Sequence, residues 1–240
     1  MFHTIFYEPI YNLLVFFLEI VPLHDIGASI ILVTVVVKVI LLPLNISAVR
    51  SQHALKKVEV EIKKVRELHK GDPQTSGAKM MEIYKREKIN PLSSIFTIIL
   101  QIPVFIALYL VFSKGITLDT NSIYSFVSFP ENLHTKAFGI LDVTNKNIIV
   151  GLLTGITAYL LARRQAADMV TPTEKNKKSE PSFQESFQQS LKVQILYVFP
   201  VVILFTASFL PSAIGVYWIT SNLLGIAQDY YIKKKYIYKK

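Results

Sequence analysis

The sequence predicts an all-α membrane protein with five core transmembrane helices, and three observations carry that prediction. Hydrophobic residues make up 51% of the 240 positions and charged residues only 18%. The apolar residues gather into runs close to the ~20 that a helix needs to cross a ~30 Å hydrocarbon core. Lysine and arginine fall between those runs, and they fall unevenly.

Four runs reach spanning length or come close: 28–49 (ASIILVTVVVKVILLPLNISAV), 92–113 (LSSIFTIILQIPVFIALYLVFS), 193–210 and 211–231. A fifth, 147–162, is shorter and ends at Arg163 and Arg164. The last two long runs meet at Pro211 and Ser212, so they form a tight antiparallel pair. Pro43, Pro103 and Pro200 lie inside runs, remove a backbone donor each, and predict kinks that neighbouring helices must compensate. Ahead of the first run, Phe2, Ile5, Phe6, Ile10, Leu13, Phe17 and Ile20 recur at helical spacing, with Glu8, Asn12 and Glu19 elsewhere. Two carboxylates make a span there costly, so residues 1–27 read as an extracytoplasmic interfacial amphipathic helix in preference to a sixth span.

Orientation follows from charge. Segment 50–91 holds 11 lysines and arginines, 163–191 holds 5 and 232–240 holds 5, against 3 in 114–146. The first three groups are therefore cytoplasmic, as is the C-terminal side of the last span. Within 50–91, Leu55, Val58, Ile62 and Val65 share a helix face; Gly71, Asp72 and Pro73 end it; Met80, Met81 and Tyr84 begin another. This is a cytoplasmic helical hairpin, either a docking surface or a charged spacer on headgroups. Residues 163–191 read as a disordered cytoplasmic loop. The basic tail 232–240 reads as an interfacial anchor, or as a contact for anionic RNA or headgroups.

One ionisable side chain stands at the middle of a run. Lys38 is about 15 Å from either end of 28–49 at 1.5 Å per residue, too deep to snorkel easily. No Asp or Glu occurs at similar depth in the five runs, Asp229 lying near the inner end of the last. Water is the remaining solvent for the ammonium, which predicts a hydrophilic groove. Thr34 is one turn away on the same face, and Gln101, Thr154, Thr157 and Asn222, with Thr220 and Ser221, reach comparable depth; Trp218 is one turn outward of Asn222. Each alone is ordinary inter-helix glue, and together they support the groove. Enzyme chemistry is not expected. The five histidines fall outside the runs, cysteine is absent, and there is no HExxH, GxSxG or P-loop. No cofactor or metal is expected either.

The stretches SIILVTVVVKVILLPL, KVEVEIKKVRELHKGDPQ, INPLSSIFTIILQIPVFIALY and LPSAIGVYWITSNLLGIAQDYYI resemble the YidC/Oxa/Alb membrane protein insertases, in order and spacing, from about residue 24 onward. The resemblance implies a bacterial plasma-membrane insertase and chaperone, with residues 28–240 as its core. Its groove opens to cytoplasm and lipid and receives hydrophobic segments of nascent proteins. By position Lys38 matches the family's groove arginine, Thr34 a substrate-contacting polar residue, and Trp218 an aromatic that meets the emerging segment. Nascent membrane proteins and the lipid bilayer are the implied partners. The ribosome, the signal recognition particle pathway and the Sec translocase are open as further ones. No nucleic-acid function beyond ribosome contact is implied. The departure is lysine for arginine, a point charge in place of a planar fork. The competing expectation is a small-solute or proton-coupled transporter with Lys38 as its site; no internal repeat speaks for it.

Overall fold

Proline decides where several helices begin. In a computed structural model that describes residues 1–90, 93–113, 119–130, 133, 135–167, 190 and 192–238, helices run over Glu8–Ile20 (α1), Ile26–Ile40 (α2), Leu42–Lys57 (α3), Glu59–Leu68 (α4), Pro73–Arg86 (α5), Ser93–Ser113 (α6), Ile148–Ala166 (α7), Phe199–Phe209 (α8) and Ser212–Ile232 (α9). Pro9, Pro43, Pro73 and Pro200 lie in the first turn of α1, α3, α5 and α8. At Pro73, which follows the non-helical Asp72, the missing N–H is one the helix has no use for. Single π-type turns, His3–Tyr7 and Gln194–Val198, lead into Pro9 and Pro200, so the chain stays helical through both prolines.

Among the described residues no single helix is long and apolar enough to cross a membrane by itself; α2 and α3 together are, and they bend by 58° where they meet. The expected first span 28–49 is thus two helices with a break at Leu41. Pro103 is accommodated within a continuous α6. Helix α7 runs past the expected end at 162 to Ala166, with Arg163 and Arg164 in its last turn, where cations favour the helix dipole. Most of the expected disordered loop, 168–189 and 191, lies outside the described residues, as do 239 and 240 of the tail.

Helix α9 is the hub of the bundle, in contact with α2, α3, α6, α7 and α8. Its first six residues, Ser212–Tyr217, are all buried, and this end joins a core of Leu14, Leu18, Ile26, Ile30, Leu108 and Val111. Helix α1 belongs to that core. Its buried stripe is Tyr7, Ile10, Tyr11, Leu14, Val15 and Leu18, while Phe2, Ile5 and Ile20 of the expected apolar face are exposed. Both faces of α1 are apolar enough to satisfy a periodicity count, and the tyrosines, with hydroxyls that reach partners, supply the inner one.

Helix α7 shows the opposite of a water-soluble pattern. Gly151, Thr154, Gly155, Thr157, Ala158 and Ala162 are buried, while Ile149, Leu152, Leu153, Ile156 and Leu160 face outward. Across from it α8 exposes Val201, Val202, Phe205 and Phe209. Small residues inside and large ones outside suit a lipid solvent, where close backbone approach and not apolar burial holds helices together. A Cβ on Gly151 would lie 2.9 Å from the Ser208 Cα of α8. Gly151→Val is therefore expected to cost about 1–3 kcal/mol, at the upper end because backbone must move. Thermal unfolding in detergent measures it, with Gly77→Ala, whose site in α5 is open, as a neutral or stabilising control.

A cap closes the outer end. Asn12 of α1 donates to the Ser122 carbonyl at 2.7 Å and accepts from the Tyr124 N–H at 2.7 Å. Tyr11 accepts from the Asp119 N–H at 2.9 Å. A two-stranded ladder, β1 (Lys136–Ala137) and β2 (Leu141–Asp142), turns through Phe138 and Gly139, both at positive φ. Its Ala137 packs on Gly27, where a Cβ would stand 2.6 Å away. Asp25 caps α2 through the Ala28 N–H and also accepts from the Phe138 N–H. The carbonyls of Val143 and Asn145 take the first N–H groups of α9.

At the inner end α4 and α5 form the hairpin. Val58, Ile62, Ile83 and Ile89 are its buried core, with Ala54, Leu55, Val65, Met80 and Tyr84 packed on them. Met81 is exposed, and Ile83 takes the inward position. Arg86 bridges to Glu61 with two parallel bonds, which hold the Glu61 carboxyl below its usual range. Asp72 caps α5; the Thr75 hydroxyl and the first backbone amides hold its carboxyl low as well.

Candidate functional site

The bundle is packed unevenly along its length, and the candidate residues lie where packing loosens. On α9 burial is continuous through Tyr217; Trp218, Ile219, Thr220, Asn222 and Gln228 are only partly buried. On α2, Thr34 is fully buried, and Lys38, one turn further in, is half-buried. The loose half is the inner half, on the side of the basic segments.

Thr34 spends its hydroxyl inside α2, donating to the Ile30 carbonyl at 2.6 Å. Its one O–H is thereby spent within its own helix, one turn from Lys38. Lys38 stands in the last turn of α2, three residues before the break. Among the described residues its ammonium makes no hydrogen bond or ion pair; only its backbone carbonyl is engaged, by Gln228. Val39 and Ile40 beside it are exposed.

Gln101 and Trp218 come together. Gln101 of α6 donates through Nε2 to the Tyr217 hydroxyl of α9. One turn on, Phe105 stacks flat on Trp218, with centroids 5.1 Å apart and planes 2° from parallel. A hydrogen bond and an aromatic stack one turn apart lock α6 to α9 with Trp218 half-buried at the boundary of the tight region. Thr154, Thr157 and Asn222 form a second group, on the α7 side of α9. Thr154 donates to Val150 at 2.7 Å and toward the Gly215 carbonyl at 3.4 Å; Asn222 donates to Thr157 Oγ1 at 3.2 Å. The structure thus makes two polar seams flanking α9, and neither seam bonds to Lys38.

Two features were missed from sequence. Gln228 of α9 reaches the α2–α3 break, and Tyr217 is the partner of Gln101. A glutamine three turns past Trp218 offers no pattern to find it by; its significance is spatial. At the inner rim Asp229, buried, accepts from Arg164 of α7 at 3.2 Å and from Lys233 at 2.9 Å. Lys56 of α3 donates to the Ala167 carbonyl at 2.9 Å, and Arg50 lies over the Tyr236 ring. Part of the basic tail is therefore built into the bundle. Among the described residues no cluster of His, Asp and Glu is arranged to hold a metal ion.

Comparison with known proteins places this arrangement among relatives. The model of the 60Kd inner membrane protein family matches residues 16–240. The membrane protein insertase YidC of Francisella tularensis subsp. novicida (strain U112) is 30% identical over 237 residues, covering 94% of this chain and 37% of the relative. The insertase of the same name from F. tularensis subsp. tularensis (strain SCHU S4 / Schu 4) gives the same figures. The chain thus spans a little over a third of the length of these curated relatives.

Proposed function

The chain belongs to the 60Kd inner membrane protein family, and from that premise we propose that it is a membrane protein insertase and chaperone, moving hydrophobic segments of nascent proteins from the cytoplasm into the bilayer. In this reading the spans are α2 with the start of α3, α6, α7, α8 with its leading π turn, and α9. The hairpin, the inner ion cluster and the C-terminal tail are cytoplasmic, and the cap of 119–130 and 135–146 faces out.

The observation that carries the reading is Lys38. Among the described residues it is a cation without an acidic partner, set at a break in an apolar segment, where the bundle passes from tight to loose packing. A transported segment's polar or acidic end rests near that charge, against the floor made by Thr34 and the outer core. Its apolar part leaves sideways, past Trp218, into lipid. No nucleotide is needed. Each Å² of substrate apolar surface moved from water to lipid yields about 25 cal/mol, so a segment of spanning length supplies the drive. Gln101 and Phe105 hold Trp218 in place, and the seam of Thr154, Thr157 and Asn222 lets α7 lie close to α9 while leaving donors near the path. Ribosome, signal recognition particle pathway and Sec translocase are proposed partners of the basic inner face.

Site-specific photocrosslinking tests this. A photoreactive residue at 218 or 34 is expected to capture a stalled nascent single-span protein. One at Phe126, exposed in the outer cap, is expected not to. Equal capture at all three, or at none while insertion proceeds, overturns the reading.

A further inference from the structure

The break at Leu41 is held from another helix. Pro43 removes a donor and crowds the turn before it, which weakens the helix but leaves the size and direction of the bend open. Gln228 of α9 supplies what proline does not. Its Nε2 donates to the Lys38 carbonyl at 3.0 Å, and its Oε1 accepts from Asn45 Nδ2 at 3.0 Å. A backbone carbonyl only accepts, so this amide has one orientation that satisfies both bonds. One side chain thus grips the last turn of α2 and the start of α3 on either side of the break.

Capping a freed carbonyl takes a single donor, and water serves. Gripping both sides takes a group with a donor and an acceptor at fixed spacing, which an amide is. The residue whose backbone is held is Lys38 itself, and on a helix the backbone sets the direction in which a side chain leaves. We propose that Gln228 is a positioning residue: by clamping the α2–α3 bend through Lys38 and Asn45 it aims the Lys38 ammonium into the path of the substrate. This rests on Lys38 being the groove cation of the preceding section.

The chain has no cysteine, so spin labels placed on cysteines at Leu32 in α2 and Ser47 in α3 report the bend alone. Pulsed dipolar spectroscopy in bilayers is expected to give one narrow distance distribution for the otherwise native chain. Gln228→Leu is expected to shift or broaden it, and Asn45→Ala, which leaves the bond to Lys38, to do so less. Insertion of a substrate with an acidic translocated end is expected to fall in Gln228→Leu by the same factor as in Lys38→Met, rather more than about tenfold, with no further loss in the double variant. A neutral-ended substrate is expected to be spared in both. An unchanged distribution in both Gln228→Leu and Asn45→Ala overturns the clamp. A changed distribution with undiminished insertion, while Lys38→Met is impaired, overturns the positioning role. If Lys38→Met itself inserts the acidic substrate normally, the groove-cation reading is what fails, and the positioning role falls with it.

Discussion

Lys38→Met will lower insertion of a single-span substrate with an acidic translocated end by rather more than tenfold, at unchanged protein level. Methionine keeps the length and apolar stem of lysine and removes only the charge. Two unit charges ~10 Å apart at an effective dielectric of about 20 attract by about 1.7 kcal/mol, and about 1.4 kcal/mol is a factor of ten. The protein itself does not depend on the ammonium, which makes no hydrogen bond or ion pair among the described residues. Lys38→Arg is expected to retain function, since the charge is kept. Quantifying protease-protected substrate in vesicles checks both. Normal insertion by Lys38→Met, with the acidic substrate, removes the charge from the mechanism.

Asp229→Ala will destabilise the bundle by about 3 kcal/mol, toward the lower end of the 3–5 kcal/mol seen when one partner of a buried ion pair is removed. Asp229 is 6% exposed and Lys233 8%, so deleting the carboxylate removes one partner of a buried ion pair. Arg164 softens the effect, because its side chain is 40% exposed and turns to solvent. Replacing both partners, Asp229→Leu with Lys233→Met, is expected to recover most of the loss. Thermal unfolding in detergent measures all three. A loss below ~1 kcal/mol in Asp229→Ala means that the cluster is hydrated in practice and contributes as surface pairs do.

Composition and run length were enough to read helices into the right stretches of the chain, because an apolar run near 20 residues long has few other uses. They were not enough to read how those helices pack. Pro43 announced a weak point in the first run; the side chains that bridge the 58° bend, Gln228 and Asn45, are 183 residues apart. On α1 and the turn before it hydropathy marked one apolar face, of which Ile10 is buried while Phe2, Ile5 and Ile20 are exposed, and it passed over Tyr7 and Tyr11, which are inside. Hydropathy ranks side chains by their dislike of water, and in a lipid setting that ranking does not say inward or outward. Helix α7 makes the same point with its glycines and threonines buried. Segment 114–146 entered the sequence reading only as a count of lysines; the contacts of its residues 119–130 and 135–146 to Asn12, Asp25 and the start of α9 follow no local pattern. Of the candidate site, Gln101 and Trp218 do share a seam, and Thr154, Thr157 and Asn222 share another; their common depth was legible, and their partition across two sides of α9 was not.

The central place of α9 has a consequence for how the protein is made. Each of α2, α3, α6, α7 and α8, the helices that α9 touches, is synthesised before it, among them Thr157 on α7, Gln101 on α6, and Lys38 and Asn45 on the first run. While α9 is still within the ribosome, the earlier helices lack the element that joins them, the bonds of Gln228 across the break at Leu41 have not formed, and neither polar seam exists. If the chain is the insertase proposed above, it is at that stage a client for the same assistance, and α9 completes it.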